Sequence, residues 1–149
     1  MRGFDALSNY CGLARMVVPL WSGTVDSSDA SSMAWLERTQ TPMLAWSSQA
    51  RGFFVPGRAR REEMGLDVSD NLIRGFYSEE NFAKLERIQR IAKEKGVLPT
   101  QVAVAWLLRR SFPVFAIVGP RRLDQWRETL ATLSVELSED ECKWLSLEE

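Results

Sequence analysis

A glycine followed by two arginines, at the point where an apolar run gives way to helical spacing, is the grouping best suited to chemistry on an anion. It stands in F-P-V-F-A-I-V-G-P-R-R-L-D-Q-W-R-E-T, residues 112–129. A helix N-terminus presents unpaired N–H groups and the positive end of its dipole. Arg121 and Arg122 at that point add planar forks of donors that match phosphate oxygens. These types and spacings suggest a phosphate ligand, although a plain Gly-Pro connector with surface arginines fits the same letters. The residues that are lacking narrow the chemistry further. The chain has no histidine, which excludes Ser-His-Asp and Cys-His nucleophiles and histidine-ligated metals. Cys11 and Cys142, near opposite ends, are too few and too far apart for a zinc cluster or a disulfide framework, and read as reduced apolar residues.

The rest of the chain has to position that turn. With 149 residues, 45% hydrophobic and 26% charged, the composition is globular and allows a sizeable core. The net charge of −1 provides no global field for nucleic acid or an anionic membrane, so an anion site must be local. The N-terminus lacks the apolar stretch of a signal peptide and no run approaches a membrane span, so a cytoplasmic setting is expected.

Val114, Phe115, Ala116, Ile117 and Val118, fenced by Pro113 and by Gly119-Pro120, predict a parallel strand buried on both faces. Behind the turn, Leu123, Trp126, Leu130 and Leu133 recur at three- and four-residue spacing, the pattern of a helix with one buried stripe. Upstream, residues 5–13 read as a strand, although a loop fits too, and residues 24–32 as a polar loop that caps a helix over 32–38. Met43, Leu44, Ala45 and Trp46 form a second short strand. The connection 49–71 is long and carries a basic cluster, Arg58, Arg60 and Arg61; loops of that length are usually functional or disordered. Ser78 with Glu79 and Glu80 opens an amphipathic helix that ends at Gly96, and Pro99 starts one that is apolar nearly all round. Ser138 and Glu141 make a capping box for a last helix. About three strands alternating with helices predict a parallel α/β sheet, too small to cover its own edges.

The runs L-A-W-S-S-Q-A-R-G-F-F (44–54), G-V-L-P-T-Q-V-A-V-A-W-L-L (96–108) and I-V-G-P-R-R-L-D-Q-W-R-E-T (117–129) together resemble the C-terminal part of the aldo-keto reductase family. The resemblance extends over residues 8–145 and treats the whole chain, 1–149, as part of one such domain. It implies an α/β fold of the TIM-barrel type, an incomplete (β/α)8 barrel in which this chain is a truncated C-terminal half; roughly 250 residues are typical of the complete fold. It also implies a nicotinamide nucleotide, NADP(H), as cofactor. Trp46 matches the aromatic residue that stacks on the nicotinamide ring, although a tryptophan filling a strand end fits too. Ser47, Ser48, Gln49 and Arg51 match the loop along the pyrophosphate, with Arg51 readable also as a solvated cation. Gly119, Arg121 and Arg122 match the loop that holds the ribose 2′-phosphate. Gln125, Glu128 and Thr129 match adenosine-side positions; Thr129 departs from the usual asparagine, and Glu128 reads equally as a helix-surface charge. Residues 8–10 match the sixth barrel strand in part, with Leu7 where a glutamine is usual.

The family reduces carbonyls with a tyrosine proton donor tuned by lysine, aspartate and commonly histidine, all in its N-terminal half, and none of these maps onto this chain. Tyr77 reads as turn packing and Lys84 as part of a solvated helix face. The resemblance therefore implies the NADP(H)-binding portion of an oxidoreductase, with no catalytic residue in this chain. A non-catalytic fragment that associates with itself or with a partner chain to complete the barrel is the alternative. A nucleic-acid module built on T-Q-V-A-V-A-W-L-L-R-R is disfavoured, because apolar residues surround that helix and leave no basic reading face.

Overall fold

The computed structural model of the chain describes residues 4–59 and 71–148. The elements are α1 (Ala30–Thr39), β1 (Met43–Ala45), α2 (Asn71–Phe76), α3 (Glu79–Lys95), α4 (Pro99–Leu108), β2 (Val114–Ala116), α5 (Leu123–Leu130) and α6 (Glu139–Leu145), with 3-10 turns at Ala50–Gly52 and Ala131–Ser134. Three helices begin where a short polar side chain takes up orphan amides. The Asp29 carboxylate accepts from the Ser31 and Ser32 N–H groups, each at 3.0 Å, and bonds from Ser31 and Ser32 hold its carboxyl well below the usual range. Ser78 caps α3 through the Asn81 amide, and Ser138 and Glu141 close a reciprocal box on α6. Gly96 ends α3 at φ 66°, a backbone conformation glycine enters without steric penalty.

β1 and β2 pair in parallel, Met43 with Val114, Leu44 with Phe115 and Ala45 with Ala116. Parallel neighbours need a crossover, and α2, α3 and α4 supply it. α4 is buried along nearly its whole length, packed on α3 and on β2, as its all-round apolar sequence predicts. Tyr10, Phe53, Phe54, Phe76, Leu107 and Leu145 are among the fully buried side chains. Asn81, also fully buried, ties the N-terminal segment to α3 through the backbone of Arg15.

Several expectations are corrected. The sheet of the described residues has two strands, not three. The N-terminal segment lies beside β1 only as isolated parallel bridges, Leu7 to Met43 and Tyr10 to Trp46. Between them the Leu44 carbonyl takes the Ser8 hydroxyl at 3.3 Å, not a ladder amide, and the ladder is interrupted. β2 is not buried on both faces: Phe115 is 57% exposed, as is Ile117 just after the strand at 48%. The stripe of α5 is outward as well, with Leu123, Trp126 and Leu130 exposed, and so is Leu133 in the turn that follows, at 75%. Lys84 is not on a solvated face; it is 5% exposed and paired with Glu80 at 2.6 Å. Within the long connection Ala50–Gly52 folds as a turn, and α2, a helix not expected from the sequence, begins at its last residue, Asn71; Arg60 and Arg61 lie outside the described residues.

Candidate functional site

The two strands end side by side. The Ile117 N–H donates to the Ala45 carbonyl at 2.8 Å, so Trp46 and the turn at Gly119 leave the sheet at the same end. That is the C-terminal end of parallel strands, where α/β barrels and open sheets place their ligands.

On the β1 side the chain turns sharply. Ser47, Ala50 and Arg51 have φ of 53°, 48° and 54°, and Gly52 has 86°. Non-glycine residues held in the left-handed region cost about 1–3 kcal/mol each and collect at ligand loops. Short turns tie the loop to itself, Ala50 N–H to Ser47 carbonyl at 2.7 Å and Gly52 N–H to Gln49 carbonyl at 2.8 Å. Ser48 Oγ is buried and has no hydrogen-bond partner among the described residues. A buried hydroxyl left in that state costs about 1–3 kcal/mol. Trp46 is half-buried; Tyr10 meets its ring at 5.5 Å and 63°, and Trp21 stacks on it at 5.3 Å and 23°.

On the β2 side, an added Cβ at Gly119 would meet nothing within 4 Å, so the space beside this turn is open. Arg121 is exposed, and its amide donates to Gln125 Oε1 at 2.9 Å. Arg122 occupies the N-cap of α5 and forks onto Asp124, at 3.0 Å and 2.5 Å. That hydrogen-bonded pairing draws the Asp124 carboxyl down to about 2 and raises Arg122. The pair is solvent-exposed, so Arg122 remains reachable, but an incoming anion must compete with Asp124 for it. Among the described residues no ion pair engages Arg121.

The structure thus brings Trp46, Ser47, Ser48, Gln49 and Arg51 to the same sheet end as Gly119, Arg121 and Arg122. Gln125 and Thr129 lie one turn apart on α5, with the Thr129 hydroxyl donated to the Gln125 carbonyl at 2.8 Å. Glu128 is exposed, and its carbonyl accepts from Gln101 Nε2 at 2.7 Å, which fixes α5 to α4. Tyr77 packs on the rings of Phe53 and Phe82. No group among the described residues could hold a metal ion.

Two residues at or behind this site were missed. Trp21 had Pro19 and Gly23 as turn signals, but no spacing links it to Trp46. Asn81 reads as an ordinary first-turn helix residue. A cleft of about 560 Å3 lined by Glu37, Arg109, Arg110, Ser111 and Lys143 lies at the opposite end, where the chain enters β2. Its arginines are already engaged, Arg109 on the Leu137 carbonyl at 3.0 and 2.7 Å and Arg110 over the Trp106 ring at 4.0 Å, so the cleft is structural.

Comparison with known proteins adds a lineage to this geometry. The profile of the aldo/keto reductase family matches residues 30–146. Versiconal hemiacetal acetate reductase of Aspergillus parasiticus is 33% identical over 107 residues, which cover 69% of this chain and 31% of the relative. The oxidoreductase YrpG of Bacillus subtilis is 28% identical over 104 residues, 70% of this chain and 31% of the relative. The chain therefore spans about a third of the length of the curated relatives it matches. Among solved structures, the thermostable aldo-keto reductase Tm1743 in complex with the inhibitor epalrestat superposes with a TM-score of 0.56 at 23% identity, over 80% of this chain and 34% of that one. That likeness supports a TIM-barrel-related α/β fold for this chain.

Proposed function

Because this chain belongs to the aldo/keto reductase family, we propose that it is the NADP(H)-binding C-terminal portion of a barrel which, when whole, reduces aldehydes or ketones. The observation that carries the reading is the shared end of β1 and β2, where an aromatic ring, a strained loop with an unpartnered buried hydroxyl, and exposed arginines lie together. The residues fit the nucleotide. Trp46 brings an aromatic ring to this end for the nicotinamide, and the hydroxyls of Ser47 and Ser48 with the Gln49 amide serve as donors to pyrophosphate oxygens. Arg51 is exposed at the loop's outer side and adds positive charge there. Arg121 and Arg122 beside Gly119 hold the 2′-phosphate, with Gln125, Glu128 and Thr129 towards the adenosine. When bound, the reduced cofactor supplies the hydride. No residue of this chain is assigned the proton transfer.

Purified protein should bind NADPH about tenfold more tightly than NADH, measured by quenching of tryptophan emission, since one charge-assisted phosphate contact has about that effect at an exposed site. Arg121→Ala should erase the difference. Equal affinities in the unmodified protein would remove the phosphate assignment.

A second reading has its own support, the exposed stripe of α5 and, among the described residues, the unpaired edge of β2. Exposed apolar stripes and unpaired edges mark contact surfaces. The occupant proposed is an α/β chain that carries the remaining strands of the barrel. Without it the protein should self-associate at micromolar concentration in analytical ultracentrifugation, and Trp126→Glu with Leu130→Glu should restore the monomer; a monomeric parent protein sinks this reading. Cys11 and Cys142 are both free, which suits a reducing compartment such as the cytoplasm, and among the described residues no helix is long and apolar enough to cross a membrane.

A further inference from the structure

Trp46 does not present a free ring. Trp21 lies on it, ring centroids 5.3 Å apart and planes within 23°. The two come from separate parts of the chain, Trp46 directly after β1 and Trp21 on a strap of residues 17–23. The base of the strap is fixed: the Met16 N–H donates to Asp26 at 2.8 Å, the Tyr10 N–H to the Val25 carbonyl at 3.1 Å, and the Val17 N–H to the Gly75 carbonyl at 2.7 Å. Leu20 is fixed as well, since its Cδ2 occupies the place a Cβ on Gly75 would need, 2.6 Å away. Trp21, next in sequence, is 53% exposed, and its only ring partner among the described residues is Trp46.

Of the two rings against Trp46, one can leave. Tyr10 is fully buried and its hydroxyl is donated to the Ala14 carbonyl at 2.5 Å, so withdrawing it opens the core. Trp21 is half exposed, and the contacts that hold the strap run through Met16, Val17 and Leu20 rather than through its ring, so side-chain rotation would suffice to free Trp46.

We propose that Trp21 is a competing ring, which in the ligand-free chain covers the face of Trp46 that a bound nicotinamide takes, and which the dinucleotide displaces. The inference rests on the NADP(H) reading. Its consequence is a measurable loss of affinity, because the ligand sees only the fraction of molecules with Trp21 swung out. An aromatic stack of this kind shifts such an equilibrium about 3- to 10-fold.

The test uses the whole chain with NADPH and with 2′,5′-ADP, which carries the phosphates of the adenosine half and no nicotinamide. Trp21→Ala should bind NADPH about 3- to 10-fold more tightly than the unmodified protein, Trp21→Phe should fall between, and 2′,5′-ADP should bind all three alike. NADPH binding only after the Trp21→Ala change also supports the proposal. If both ligands bind and Trp21→Ala leaves NADPH unchanged or weaker, Trp21 is not a competitor and the proposal is overturned while the nucleotide reading stands. If neither ligand binds any of the three proteins, the nucleotide reading fails and the proposal fails with it.

Discussion

Replacing Asn81 by alanine should cost the fold several kcal/mol, although the side chain is assigned no contact with the nucleotide. Its Oδ1 accepts the Arg15 N–H at 2.8 Å, and its Nδ2 donates to the carbonyls of Arg15 and Phe76, each at 2.7 Å. Each such bond contributes about 1 kcal/mol net when its partners can turn to water, and a partner left buried and unpaired costs about 1–3 kcal/mol. The Arg15 groups are only part-buried, whereas the Phe76 carbonyl is buried. About 3–5 kcal/mol follows, a large share of the roughly 5–15 kcal/mol that holds a domain together. The assay is urea unfolding by far-UV circular dichroism, where the midpoint should fall with little change in slope. Asn81→Asp is the informative companion, since it keeps the acceptor but sets a carboxylate against two carbonyls and should be no better than alanine. Arg15 also begins the segment that leads to Trp21, so acrylamide quenching of tryptophan should rise in both variants. A loss under about 1 kcal/mol for Asn81→Ala would refute the view that this amide fastens the N-terminal segment to α3.

Asp29→Ala should destabilise by about 1 kcal/mol through loss of the α1 cap. The folded carboxyl titrates below its unfolded value, so the cap's contribution is complete above about pH 4 and is lost as pH falls through the folded value; thermal melts of the two proteins should converge in acid. At Gly75 two effects oppose: alanine improves helix propensity by about 1 kcal/mol, while its Cβ must push Leu20 aside. Gly75→Ala should therefore melt within a few degrees of the parent but shift the tryptophan emission to the red as Trp21 lifts, and unchanged emission would count against the anchoring of the strap by Leu20. Asp124→Asn should release Arg122 and tighten NADPH several-fold with no effect on NADH, checked by the same quenching titration; weaker binding would mean that Asp124 braces the arginine.

The helices were legible because their determinants are local. Ser78 and Gly96, Pro99, and the Ser138 and Glu141 box each act within a few residues of themselves, and the structure places helix ends at those positions. The same holds for the turn after β2, whose glycine and arginines sit where their spacing put them, at the start of α5. Burial was not legible in this way. The period of Leu123, Trp126 and Leu130 identifies a face that is apolar, but whether that face is covered depends on neighbours that no local pattern encodes, and here it is exposed. The strand count failed for a related reason: residues 5–13 have strand-like composition, while pairing is decided by the partner's carbonyls, one of which takes the Ser8 hydroxyl.

By itself, then, the sequence determined where α3, α4, α5 and α6 begin, since caps and periodicity act within single segments; it carries no sign of α2. Only the tertiary structure decided that the loop after Trp46 and the turn at Gly119 share one sheet end, and that Trp21 lies on Trp46, because contacts between distant segments are set by how the whole chain packs.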